Sequence, residues 1–250
     1  VLEDVPKPEV SAPDDCLLKV EAASLCGTDI HILAVPPRFP AVLGTILGHE
    51  YLGKVVDIGD RVEGIKKGDR VVVDPNLKCG YCHPCQNGHS NICVNMKAIG
   101  EDIDGCFAEF SRVPAKAVFK VPADLPADMG ALAEPLACVL NGVRKAQISP
   151  GDSVAVLGAG PIGLLFIQVF KLCGAGSIMA SEVSDLRRKV AVECGVAAAH
   201  NPLEGKLSES IGEVDVVVDA VGSLLSDGLE VVKPGGKLIL FGMNHEAKAV

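Results

Sequence analysis

"SVAVLGAGPIGLLFIQVFKL", residues 153–172, decides the fold of the second half of this chain. Ser153 to Leu157 is an apolar run of strand length, and the run that closes near Leu172, before Gly174, has helical length. Between them stand Gly158, Gly160 and Gly163 in G-x-G-x-x-G spacing. Strand, glycine-rich turn and helix in that order open a dinucleotide-binding βαβ unit. Gly158 permits the tight turn, Gly160 lets a pyrophosphate approach the main chain, and Gly163 lets helix and strand pack closely. Pro161 and Ile162, at the start of the helix, belong to the same candidate cofactor site, where free N–H groups and the helix dipole favour phosphate.

An acid about 20 residues further on is the second mark of such a site. Glu182 stands 19 residues past Gly163, at the end of "SIMASE". A carboxylate there accepts hydrogen bonds from the adenosine ribose and repels a 2′-phosphate, which favours NAD over NADP. Arg187 and Arg188 follow closely and pull the other way. The alternation continues outward. Ser184–Cys194 reads as a helix, "VAAAHN" as a weak strand and "VDVVVDAVG" as a strand. Then come a helix at "LLSDGLEVV", a turn at "KPGG" and a strand at "KLILFGM". Val221, just past the "VDVVVD" run, joins the candidate cofactor residues. Strands alternating with helices predict a doubly wound parallel sheet, an α/β Rossmann domain over residues 148–250.

Residues 1–147 follow a different rule. Short Val-rich runs such as "YLGKVVDIG" and "GDRVVVDP" are cut by Gly, Pro and Asp, the pattern of a compact, turn-dense β domain. "LPADMGALAEPLACVLNGVRKA" then reads as one helix, with Leu132, Leu136 and Leu140 spaced by four.

The whole chain has 250 residues, is 48% apolar and carries a net charge of −9. That charge argues against a nucleic-acid or anionic-membrane partner. No apolar run reaches the roughly 20 residues of a membrane helix. No secretory signal pattern opens the chain, so a cytoplasmic location is expected. Ten cysteines in such a protein point to metal binding or catalysis before disulfides.

Four of those cysteines, Cys79, Cys82, Cys85 and Cys93, fall within "CGYCHPCQNGHSNIC". The last gap of seven residues and the absence of a following proline speak against a ferredoxin-type cluster. Four thiolates on one short lobe suit a tetrahedral Zn²⁺, and a closed all-cysteine shell leaves no position for substrate. The site is therefore expected to be structural, with His83 and His89 facing solvent. "SLCGTDIHI" and "GTILGHEYLG" hold more reactive groups, Cys26, His49 and Glu50. Each has an ordinary explanation taken singly: a buried thiol, a core histidine, a surface acid.

"CGTDIH", "GHE", the four-cysteine lobe, and "EPL" followed by "VLGAGPIG" occur in an order and at separations that resemble the zinc-dependent medium-chain alcohol dehydrogenases. The resemblance runs along nearly the whole chain and is strongest to the polyol (sorbitol-type) and threonine dehydrogenase branch. It implies a GroES-like β-rich catalytic domain before the Rossmann domain. It also implies two zinc ions per chain and a hydride transfer between a secondary alcohol or polyol and NAD. Cys26 and His49 would ligate the catalytic zinc. Glu134, in "ALAEPLACV", stands where this branch places glutamate in the metal shell, and Glu50 would be an exchangeable ligand. Thr28 would take the alcohol's proton and His31 pass it to solvent. L-Threonine or an aldose is the alternative substrate. A non-catalytic zinc- and dinucleotide-binding protein is the alternative of another class. The family runs on past "FGM", so the chain is expected to be C-terminally incomplete, and a homodimer or homotetramer is expected of the full-length protein.

Overall fold

A computed structural model describes residues 2–243. The chain divides into two compact units, Val1–Glu134 and Pro135–Val250. Residues 244–250, the end of the stretch read above as Rossmann domain, lie outside the described residues.

The first unit comprises β1 (Asp15–Ser24), α1 (Gly27–Leu33), β2 (Glu50–Ile58), β3 (Arg70–Val73), β4 (Asn76–Leu77), α2 (His83–Gln86), β5 (Lys97–Ala98), β6 (Phe110–Pro114), β7 (Val118–Lys120) and α3 (Ala127–Ala131). Five strands form an antiparallel sheet in the order β6-β1-β2-β3-β7. Its core gathers Cys16, Leu18, Tyr51, Val55, Val71, Ile99, Cys106 and Val113. Tyr51 is buried, and its hydroxyl is satisfied by Ser111 Oγ at 3.0 Å. The opening residues of β2, Glu50 to Gly53, are all buried, because α3 covers the strand. A Cβ on Gly130 of α3 would stand 2.1 Å from Leu52, so only glycine allows that contact.

The second unit comprises most of α4 (Ala133–Ala146), then β8 (Ser153–Leu157), α5 (Pro161–Leu172), β9 (Ser177–Ser181), α6 (Asp185–Cys194), β10 (Ala198–His200), α7 (Leu207–Ile211), β11 (Val214–Asp219), α8 (Leu225–Val231) and β12 (Val232–Leu240). Its sheet is parallel, in the order β10-β9-β8-β11-β12. Period-two alternation splits β8 between two cores. Val154 and Val156 pack with Phe166, Phe170, Ile178, Val216 and Val218 on one face. Ala155 and Leu157 pack with Val217, Leu207, Ile211 and Val231 on the other. A strand covered on both faces reads as an unbroken apolar run, as β8 does.

Four details depart from the sequence reading. The helix expected over 125–146 is two helices, α3 and α4, separated at Leu132. The Leu132, Leu136, Leu140 stripe is not its inner face. Leu132 and Leu140 are exposed, while Pro135, Val139, Gly142, Val143 and Ala146 are buried. Gly142 sets this choice, since a side chain there would strike the Phe166 and Phe241 rings. The compact second unit accordingly begins at Pro135 and not near residue 148, because α4 contributes to its core. Finally, the turn read at "KPGG" is a bulge inside β12. Pairing jumps from Val214–Val232 to Val216–Lys237, with Gly235 at φ +80° absorbing the bend.

Candidate active site and cofactor crevice

Antiparallel pairing builds the candidate metal centre. Ser24 at the end of β1 lies opposite Glu50 at the start of β2. That register brings Cys26, two residues beyond Ser24, beside His49, one before Glu50. The ligand atoms of Cys26, His49 and Glu50 all lie within 4.8 Å of one another. His49 and Glu50 are buried and Cys26 is half-buried. Ser24 Oγ donates to Glu50 Oε2 and holds that carboxylate in place.

A second loop supports the Gly48-His49-Glu50 turn almost entirely through main chain. Gly105 N donates to Ile46 O at 2.7 Å, Cys106 N to Gly48 O at 2.9 Å and Phe107 N to Leu47 O at 2.9 Å. Three glycines make the approach possible. A Cβ on Gly105 would stand 2.0 Å from Gly48 O, and one on Gly100 would stand 2.6 Å from the same oxygen. Gly48 itself has φ +92°.

The chemistry of this donor set suits a metal. His49 Nδ1 and Asp29 Oδ1 are buried polar atoms without a hydrogen-bond partner, 3.8 Å apart. Burial lowers the His49 pKa, but the Cys26 hydrogen bond and charge, then Asp29 and Glu134, outweigh it and raise the imidazole to about 9. A thiol, an imidazole and carboxylates that compensate one another's charge in a half-dry site form the environment a divalent cation neutralises. Glu134 is close enough for its charge to reach His49. Its carboxylate, however, is not within the 4.8 Å group formed by the other three.

Asp29 was not among the residues singled out from sequence. It is 1% exposed and accepts the Cys26 N–H at 2.9 Å through Oδ2. The signal was available as an acid three residues after Cys26 at a helix start, where a carboxylate satisfies a free N–H. Glu101 was also missed. It follows Gly100 on the supporting loop, is half-buried, and has its pKa raised by burial, an effect tempered by His49. Thr28 and His31 share one face of α1, three residues apart. Thr28 is buried and His31 half-buried.

The four lobe cysteines form a second group with ligand atoms within 4.8 Å of one another. Cys93 Sγ lies 3.5 Å from Cys79 Sγ and 3.8 Å from Cys82 Sγ, and all ten cysteines are free thiols. Those separations match the edge of a tetrahedron with Zn–S bonds of about 2.3 Å. Burial works against the Cys79 thiolate, but N–H groups of Tyr81 and Cys82 outweigh it and bring the thiol to about 6. Cys85 is pushed up to about 12 by burial and then by Cys82. His83 and His89 are exposed.

The candidate cofactor crevice lies in the second unit, where strand order reverses between β9 and β11 on either side of β8. Gly158 has φ +92°, and a side chain there would meet Val221 Cγ2 at 2.6 Å. A Cβ on Gly163 would stand 1.9 Å from Gly158 O. Gly160 is open: its nearest neighbour would be Arg187 Nη1, at 3.8 Å. Gly160 caps α5 without a side chain and Pro161 takes its first turn, the arrangement that leaves room for a phosphate.

Glu182 does more structural work than its sequence position suggests. It is 6% exposed, and its two oxygens accept Ala159 N and Ser184 N, each at 2.9 Å. It thereby fastens the glycine turn to the end of β9, and each oxygen keeps one lone pair for a ribose hydroxyl. Arg188 is spent on the carbonyls of Glu182 and Val183 and on Asp185. Arg187 is the exposed member of the pair, with Nη1 3.9 Å from Glu182.

The family model described as "Alcohol dehydrogenase GroES-like domain" matches residues 12–123, and the one described as "Zinc-binding dehydrogenase" matches residues 161–250. L-threonine 3-dehydrogenase of Pyrococcus horikoshii is 40% identical over 96% of this chain and 71% of its own length. A protein of Neosartorya fischeri named "Probable D-xylulose reductase A" is 34% identical over 97% of this chain and 72% of its own. Among solved structures, a Sinorhizobium meliloti protein described as a "putative zinc-binding dehydrogenase" and bound to NADP superposes with a TM-score of 0.94 at 40% identity, covering 98% of this chain and 74% of that one. Galactitol-1-phosphate dehydrogenase of Escherichia coli gives 0.92 at 28% identity, covering 99% and 73%. Among the described residues no helix is long and apolar enough to cross a membrane.

Proposed function

The chain belongs to the zinc-dependent medium-chain alcohol dehydrogenases, and on that premise we propose that it oxidises a secondary alcohol bearing a second polar group on the neighbouring carbon, as polyols do, with NAD as acceptor. The observation that carries this reading is the convergence of Cys26, His49 and Glu50 to within 4.8 Å, with Glu134 adding its charge from nearby. A mixed sulfur, nitrogen and oxygen set suits an open zinc site, where the thiolate-only lobe suits a closed one. Zinc, when bound, supplies a Lewis acid that acidifies the alcohol, and the nicotinamide supplies the hydride acceptor.

The chain's own residues do the rest. Cys26 and His49 would hold the metal together with a carboxylate, either Glu50, which Ser24 restrains within the same group, or Glu134, whose charge reaches His49 from nearby. Thr28 takes the alcohol's proton. His31 passes it to water, a task suited to an imidazole, which both accepts and donates a proton. The burial of Thr28 and the partial exposure of His31 support a transfer from the site toward solvent. Asp29 orients the Cys26 main chain and sits against His49, a placement that fixes the ligands of a metal site. On the cofactor side, Gly158, Gly160, Pro161, Ile162 and Gly163 receive the pyrophosphate. Glu182 and Val221 flank it on either side of β8. Commitment of Arg188 to carbonyls and Asp185 leaves one exposed arginine beside a buried carboxylate, and this supports NAD over NADP.

L-Threonine is the second reading within the same site, favoured by the relatives of that name. Its hydroxyl carbon also neighbours a polar carbon, so the same ligand set serves both. The test is a panel of sorbitol, xylitol, butanediol, L-threonine and glucose with NAD and NADP, read by NAD(P)H absorbance. Turnover of at least one member with NAD preferred is expected. Zinc and dinucleotide binding without turnover of any member would favour the non-catalytic reading.

A further inference from the structure

Asp219 lies at the last position of β11, is 1% exposed, and takes no part in the proposed chemistry. Its side chain faces only main chain. Oδ1 accepts Val221 N at 2.9 Å and Gly222 N at 2.7 Å, and Oδ2 accepts Leu224 N at 2.8 Å. Its own carbonyl accepts Phe241 N at 3.0 Å and Gly242 N at 2.9 Å. One residue therefore ties the loop after β11 to the sheet and to the chain leaving β12. The loop has no slack. Val221 Cγ2 occupies the space a Gly158 side chain would need, and a Cβ on Gly242 would stand 2.3 Å from both Val221 C and Gly222 N.

Topology fixes which part of a dinucleotide this loop meets. Glu182 at the end of β9 marks the adenosine side of β8, and β11 flanks β8 on the opposite side. A cofactor laid across the crevice therefore puts its nicotinamide half against residues 220–224. We infer that Asp219 is a positioning residue, whose three-pronged grip on Val221, Gly222 and Leu224 holds the nicotinamide-side wall of the crevice against the glycine turn. This rests on the cofactor reading above and adds to it a residue that touches no cofactor itself. Three main-chain donors converging on one buried side chain is the device expected where a loop must be rigid before its ligand arrives.

The test measures binding and not turnover. Asp219→Asn keeps the volume but leaves one oxygen for three donors. NADH and ADP-ribose affinities are compared in wild type and variant, by nicotinamide fluorescence and by calorimetry. Asp215→Asn serves as reference, since Asp215 sits near the opposite end of β11 and grips Ser153 and Lys233 there. NADH binding weakened about tenfold or more by Asp219→Asn, with ADP-ribose within about twofold and Asp215→Asn weakening neither, is the expected result. NADH bound by Asp219→Asn as by wild type overturns the inference. So does equal weakening of both ligands, or a matching loss in Asp215→Asn. A wild-type protein that binds ADP-ribose and NADH not at all overturns the cofactor reading and the inference with it. Should Asp219→Asn fail to fold, Leu224→Pro removes one of the three donors and has to give the same split between the two ligands.

Discussion

Replacing Gly105 by alanine tests how the candidate metal centre is built. The new Cβ would stand 2.0 Å from Gly48 O, 2.7 Å from Gly100 Cα and 2.8 Å from Leu47 O. A carbon and a carbonyl oxygen rest no closer than about 3.3 Å, so the two loops have to separate by about 1.3 Å. All three atoms are main chain, and no side-chain rotation relieves the clash. Gly48 is bonded to His49, so the imidazole moves with it. A metal or catalytic constellation tolerates displacements of about 0.5 Å, and misplacement by about 1 Å costs on the order of a hundredfold in rate. The lobe cysteines lie on a separate stretch, residues 79–93, and keep their own group. Metal content is read by plasma emission after dialysis against a weak chelator, with Gly205→Ala, whose Cβ meets nothing within 4 Å, as control. The expected result is a fall from two zinc ions per chain to one, with kcat/KM lowered about a hundredfold or more. Two zinc ions held as firmly as in wild type would refute the reasoning, as would loss of the lobe zinc before the other.

Three further predictions follow the same lines. Asp29→Asn should weaken the catalytic zinc by about ten- to hundredfold, as loss of a ligand-orienting partner does, and a competitive chelator titration should find the lobe zinc unchanged. Asp215 has its pKa lowered below 3.8 by the Ser153 hydroxyl and amide and by Lys233. A depressed carboxylate contributes stability that is present above its unfolded value and lost as pH falls. Asp215→Asn should therefore lower Tm at neutral pH, with the gap to wild type closing as pH drops below 3.8. Glu182→Gln leaves one oxygen for the amides of Ala159 and Ser184. It should cost about tenfold or more in NAD affinity and narrow the preference for NAD over NADP, read as the ratio of kcat/KM values.

Sequence alone determined what is local. Strand, glycine turn, helix and acid follow one another within 30 residues, and their spacing is the geometry of the crevice. The same holds for the lobe, where four cysteines within fifteen residues bring themselves together whatever the rest of the chain does. The apolar run Ser153–Leu157 placed β8, and Gly174 placed the end of α5 near Leu172, because a strand buried on both faces and a helix followed by glycine leave little freedom at those ends. Only the tertiary structure decided what depends on pairing and packing. Cys26 and His49 are neighbours because Ser24 pairs with Glu50, a long-range register that no local spacing reveals. Asp29 is legible in the sequence as an acid capping a helix start, but its place against His49 is decided only by its burial there. Leu132 and Leu140 stand at helical spacing with Leu136, yet they are exposed while Leu136 only lies at the edge of the core, because Gly142 admits the phenylalanine rings to another face of α4. Periodicity says that a helix has an apolar side, but the volumes on the partner decide which side is buried.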